Sequence, residues 1–166
     1  PSLQSSRVST IPSQSFELHL ASPGSTNNLT VRQQAIQHLP MLAASHVELS
    51  VQAAGLNFRD VLNMLDLDPT RTVRPLGLEC ASVAATSIGS SVTHLDSGDS
   101  VHGMSMGCLA SSVRTDAHVQ VLMPRSLSFE EACSLPILWC TIRLAAESMH
   151  VRARQLILIH AATGGV

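Results

Sequence analysis

The chain has 166 residues, enough for one domain or for one domain and part of a second. Charged residues make up 13% and the net charge is -2, so there is no electrostatic case for nucleic acid or an anionic membrane as partner. No apolar run approaches the roughly eighteen residues that cross a bilayer, and with no Lys and no Tyr every formal positive side chain is Arg.

Residues 1–15 are rich in Ser, carry Arg7 and contain no acid. Transit peptides and solvated linkers share that composition. The chain opens on Pro1 rather than Met, and the linker reading is preferred. Phe16 to Leu20 alternates apolar and polar residues, as a half-buried strand does. Pro23-Gly24 with Asn27 and Asn28 marks a turn, and Leu29 to Ile36 reads as a second strand. Leu39 to Ser45 reads as a loop. Val47 to Ala53 alternates cleanly and Gly55 ends it. Asn57 to Leu67 reads as a short helix with Val61, Leu62 and Leu65 on its apolar face; Asp68-Pro69 breaks it. Gly77 to Ile88 is a long strand of small residues. Ser97-Gly98-Asp99 is a turn. Short strands follow at Val101–Met104, Leu109–Val113 and Val119–Leu122, around the polar Arg114-Thr115-Asp116. This spacing predicts a small, irregular β-barrel.

The style changes at Pro124. Ser128 and Glu131 form a capping box before Phe129, Ala132 and Leu135. Pro136 suits the first turn of a second helix, whose face is Leu138, Ile142, Ala145 and Met149. Leu156 to Ile159 is an unbroken aliphatic run that predicts a strand buried on both faces of a parallel sheet. Gly164 and Gly165 follow it directly, as the first turn of a dinucleotide-binding fold would. A parallel strand needs a crossover helix and a second strand. None follows Val166, so a second domain is expected to be only begun here. The helix at Ile137–Met149 and the run at Leu156–Ile159 should then show exposed apolar surface.

Cys80, Cys108, Cys133 and Cys140 form no C-x-x-C pair, and they are expected to be small buried hydrophobes. His160 is expected to be a structural, hydrogen-bonded residue. Four stretches stand out for chemistry: Gly55-Leu-Asn-Phe-Arg-Asp60, Leu76-Gly-Leu-Glu79, Ser97-Gly-Asp-Ser-Val101 and Ala161-Ala-Thr-Gly-Gly-Val166.

In this order and at these separations the four stretches resemble the medium-chain dehydrogenase/reductase superfamily. The nearest likeness is to the enoylreductase domains of polyketide synthases and animal-type fatty acid synthases. Ala54 to Leu62 resembles the family's signature at its first helix. Ile159 to Val166 resembles its nucleotide-binding turn. Ser126 to Ala132, with Leu135-Pro136 and Thr141, resembles the segment between its two subdomains. The likeness covers about residues 16–166, the N-terminal half of such a domain.

The resemblance implies a mixed β and α/β chain. Residues 1–15 are a linker, residues 16–123 a GroES-like substrate-side barrel, and residues 124–166 the incomplete beginning of an NADPH-binding Rossmann subdomain. It is to the zinc-free branch, because Leu78 and Asn57-Phe58 stand where zinc-dependent members carry His and Cys ligands. It implies hydride transfer from NADPH to a carrier-bound enoyl thioester. The implied partners are an acyl carrier protein and other synthase domains of the same chain, in a homodimeric parent that is cytoplasmic or plastid-targeted. The fragment alone is expected to be inactive.

By motif match, Asn57, Arg59 and Asp60 lie at the cleft between subdomains, Thr141 near the nicotinamide end, and Gly164, Gly165 and Val166 along the pyrophosphate. Asp68 stands where many polyketide enoylreductases carry a proton-donating Tyr. Plainer roles compete at each position. Asn57 can cap a helix, Arg59 can pair with Asp60, Glu79 can hold backbone, and Thr141 can bond to its own helix. A free-standing quinone or enone reductase and a non-catalytic reductase module remain as alternatives.

Overall fold

The computed structural model describes residues 15–34, 41–70 and 72–160. Strands β1 (Phe16–Leu20) and β2 (Leu29–Gln33) form a hairpin, closed by a turn in which Asn28 bonds back to Ser22. Then come β3 (His46–Gly55), helix α1 (Phe58–Met64), β4 (Glu79–Ile88), β5 (Ser100–Met104), β6 (Ser112–Asp116) and β7 (Gln120–Leu122). Helices α2 (Phe129–Ala132) and α3 (Pro136–Ser148) close the described fold.

Strands β3 to β7 make one antiparallel sheet in the order β6-β3-β4-β5-β7. Its two edge strands are consecutive in the sequence and joined by one 3-10 turn, Ala117–Val119. The sheet must therefore curl until its edges approach, which is how a small barrel avoids open edges. Register shifts in β3, between Val47 and Leu49 and between Val51 and Ala53, add the local bend that curling requires. The hairpin attaches through backbone bonds from Leu18 to Leu109 and from Ser111 to Phe16.

The small residues of β4 have a packing reason. Cys80 and Ala84 face a core with Val47, Leu49, Leu95, Val101, Cys108 and Ala117. Ala81 faces the other way, against Ala132 and Cys133 at α2. A strand covered on both sides by backbone this close has room only for short side chains. Cys80, Cys108 and Cys133 are buried as expected, but Cys140 is exposed on α3. The Cys108 thiol is raised well above its ordinary pKa, chiefly by the Cys80 thiol facing it and then by burial.

Four sequence-based expectations need correction. Arg114 to Asp116 lies within β6 rather than between strands. Its guanidinium pairs at 2.9 Å with Glu48, directly opposite on β3, so a polar residue here marks the outer face of a strand. Residues 109–111 form only a bridge to β1. Leu156–Ile159 forms no strand, because among the described residues no strand lies beside it to take its backbone groups. His160 is exposed.

The capping box of α2 forms, with Ser128 and Glu131 reciprocally bonded, and Pro136 opens α3. The expected apolar exposure is present: Leu144 is 64% exposed and Leu158 81%. No helix of the described residues is long and apolar enough to cross a membrane.

Gly103 sits where β5 meets β7, and a Cβ there would lie 2.1 Å from the Val119 carbonyl oxygen. Gly103→Ala should therefore force the backbone apart and destabilise the fold by about 1–3 kcal/mol or more. Urea unfolding followed by circular dichroism measures this; an unchanged midpoint would show that the strands are not so closely apposed.

Candidate functional site

The turn from β3 into α1 carries Leu56, Asn57 and Phe58 to the rim of a cleft of about 380 Å³. Its opposite wall is the start of α3, with Ser134, Ile137 and Leu138. Glu79, the first residue of β4, lies at the floor and is 5% exposed.

Two carboxylate contacts build this floor. Glu79 Oε1 accepts from Asn57 Nδ2 at 2.9 Å, and Oε2 accepts from the Ile137 backbone N–H at 2.7 Å. Ile137 follows Pro136, so its N–H is the first that α3 has to satisfy, and Leu135 offers no side-chain cap. A carboxylate also suits the positive end of the helix dipole. Gly55 makes the approach possible, since a Cβ there would sit 2.7 Å from both Glu79 Cγ and Oε1. Asn57 is the N-cap of α1 and forms a capping box with Asp60, whose carboxylate takes the Asn57 backbone N–H at 3.0 Å, while Asn57 Nδ2 is turned to Glu79.

Arg59 does not pair with Asp60. Asp60 is buried, and its second oxygen accepts the Gly77 N–H at 2.9 Å. Arg59 lies 3.7 Å from Asp68 across a narrow crevice of about 10 Å³ that also meets Arg74. Asp68 accepts both the hydroxyl and the backbone N–H of Thr70, at 2.7 and 2.8 Å. The Thr70 hydroxyl, then its N–H, then Arg59 and Arg74 hold the Asp68 carboxyl below the ordinary aspartate value. Its oxygens are thus held by Thr70 and the neighbouring guanidinium rather than by residues of the cleft.

Thr141 is exposed on α3 and donates to the Ile137 carbonyl at 2.8 Å. Gly164, Gly165 and Val166 lie outside the described residues. The structure thus brings Asn57 to the cleft with Glu79, and places Arg59 with Asp68 in the neighbouring crevice. Ser134, Ile137 and Leu138 were not singled out from sequence as lining residues. Glu79 was legible as a lone carboxylate opening a strand of small apolar residues. Among the described residues no three His, Cys, Asp or Glu side chains converge as a metal site would need.

No family model matches the chain. It is 41% identical over 129 residues to a highly reducing polyketide synthase of Gibberella zeae, covering 77% of this chain and 5% of that protein. It superposes on the CurK enoyl reductase with a TM-score of 0.82 at 31% identity, over 92% of this chain and 48% of that one. The quinone oxidoreductase from Coxiella burnetii matches with a TM-score of 0.76 at 22% identity, over 89% and 49%, a likeness of fold alone. The chain thus spans about half of these solved structures and a small part of the synthase.

A depressed carboxyl pKa stabilises the fold above the unfolded-state value and loses that contribution as pH falls toward the folded one. Asp68 should therefore stabilise the protein at neutral pH and cease to do so as pH drops below the ordinary aspartate value of 3.8. Asp68→Asn should lower stability at neutral pH and flatten the acid limb. Denaturant midpoints measured from about pH 6 down to about pH 3 test this, and parallel curves for the two proteins would contradict it.

Proposed function

The chain has the medium-chain dehydrogenase/reductase fold of enoyl reductases and quinone oxidoreductases, with polyketide synthases as its relatives, and on that premise we propose that it forms part of an NADPH-dependent enoyl reductase. The substrate is the α,β-unsaturated thioester of an acyl chain on an acyl carrier protein. The other synthase domains sit in the same polypeptide, and the parent is a homodimer in the cytoplasm. Synthase relatives favour this over a free-standing quinone reductase.

The observation that carries the proposal is the cleft between the barrel and the start of α3. Its size falls in the range of small-molecule sites, and its walls are largely apolar. Leu56 and Phe58 are exposed on one wall, where a flat ring or an acyl chain finds contact area. Asn57 adds a polar group at the rim. The chain thus fits the nicotinamide end of such a cofactor, which supplies the hydride when bound. The phosphate end would fall to Gly164, Gly165 and Val166, with Thr141 one turn along α3 from the cleft wall.

The residues of this chain hold and orient. The apolar walls exclude water from the alkene, so that hydride adds to the β-carbon and a proton to the α-carbon. Arg59, beside Asp68 in the neighbouring crevice, supplies a positive charge for the carrier-bound end of the substrate. The α-carbon proton comes from a donor other than Asp68. No metal is used: Leu78 has no ligating atom, and the thioester is activated by position alone.

The full-length protein should oxidise NADPH when given a crotonyl thioester and release the saturated product. Its rate should be unchanged after dialysis against a chelator. Absence of turnover in correctly folded protein would refute the reductase reading. A rate lost on chelation and restored by zinc would refute the metal-free mechanism.

A further inference from the structure

We propose that the pocket between the β1–β2 hairpin and the segment leading into β4 is a second binding site, which takes a small organic carboxylate on Arg74. The pocket has a volume of about 280 Å³ and shares no lining residue with the cleft. Leu20 and Leu76, both nearly fully buried, give it an apolar floor, and Val73 stands exposed at its rim.

Charge decides what the pocket can hold. Its charged lining residues are Glu17, Arg32 and Arg74. Glu17 and Arg32 stand opposite each other across the hairpin and form an ion pair. The Arg74 side chain forms no hydrogen bond or ion pair with any described residue, although its Nε is closed off from solvent. Asp68 attracts it only from across the neighbouring crevice. A guanidinium donor shut away from water without an acceptor is costly. The backbone nonetheless holds Arg74 in place, since its carbonyl accepts from Asn63 Nδ2 at 2.8 Å and Pro75 follows directly. With Glu17 and Arg32 cancelling each other, Arg74 leaves the pocket one positive charge in excess.

A monoanion matches that excess. A planar carboxylate meets the guanidinium fork with two parallel N–H bonds. A doubly charged phosphate overshoots it and brings more negative charge against Glu17. The apolar floor then suits a short hydrocarbon body, and the volume lies just below the usual range for drug-sized ligands, which limits its length. This site does not depend on the reductase reading.

The test uses the full-length protein with butanoate, its neutral isostere butanamide and inorganic phosphate as probes, titrated by saturation-transfer NMR. Butanoate should bind with a Kd on the order of 1 mM. Butanamide should bind about tenfold more weakly, the scale of a lost charge-assisted hydrogen bond. Arg74→Gln should weaken butanoate by about tenfold as well. Glu17→Gln removes the like charge facing the ligand and should tighten binding by about threefold. Val73→Trp leaves every charge in place but fills the rim, and should abolish binding. Circular dichroism checks that each variant is folded; should Arg74→Gln not fold, Glu17→Gln and Val73→Trp decide the matter. The proposal is overturned if butanoate does not bind, if it binds no more tightly than butanamide, or if its affinity is the same in folded Arg74→Gln or Val73→Trp. Weaker binding in Glu17→Gln overturns the charge argument, and phosphate binding more tightly than butanoate overturns the carboxylate assignment.

Discussion

The carboxylate of Glu79 is the joint on which the described structure turns. It is almost fully buried with no ion-pair partner among the described residues, a placement that costs several kcal/mol unless donors replace the lost water. Two N–H donors do so, one from each wall of the cleft. Its backbone carbonyl is tied as well, accepting from the buried Cys108 thiol at 3.1 Å. The donors come from parts of the chain about eighty residues apart, so satisfying one buried charge fixes the spacing of two elements that sequence alone leaves independent. The neighbouring residues conform to this requirement. Gly55 has no side chain to obstruct the carboxylate, and Pro136 hands the first orphan amide of α3 to Ile137.

The barrel around this joint follows from volume and connectivity. Strand β4 carries Cys, Ala and Ser because it is packed on both faces, toward the core and toward α2. Consecutive edge strands then leave the sheet little choice but to curl. Gly77 completes the frame on the far side of α1. Its positive φ of 90° is one that a side chain would resist, and its N–H is held by Asp60. Asp60 thereby links α1 to the strand that begins with Glu79. Two carboxylates, Asp60 and Glu79, brace the same helix start, and among the described residues neither forms an ion pair.

Local patterns were legible wherever one residue's chemistry decides the outcome. The capping box at Ser128 and Glu131, the alternation in β3 and the helix start at Pro136 are of this kind. Patterns that depend on a distant partner were not. Arg114 looked like loop until Glu48 stood opposite it across β3 and β6. Leu156–Ile159 has strand composition, but composition does not make a strand without a neighbour to pair with. Arg59 has an acid next to it in the sequence and pairs with one nine residues on, because Asp60 is turned inward to hold backbone. At the site, sequence pointed to Asn57 and Glu79 separately. Only the fold shows that they are bonded, and that α3 shares the bond.

The lining of the cleft also limits its chemistry. Of the residues at its walls and floor, only Glu79 carries an acidic side chain, and both its oxygens already accept hydrogen bonds. A general acid needs a proton on an atom that can reach the substrate, and neither oxygen is in that state. The Ser134 hydroxyl is engaged with the Glu131 carbonyl at 2.9 Å. What the described cleft offers is shape, apolar contact and one oriented amide. Those are the means of placing reactants, and placement alone can supply several kcal/mol of a barrier. In the proposed reduction, proton transfer would then fall to another part of the protein or to water admitted at the rim. That division suits the proposal, in which the hydride donor is itself a bound reactant and the protein's larger task is to hold two molecules at one angle.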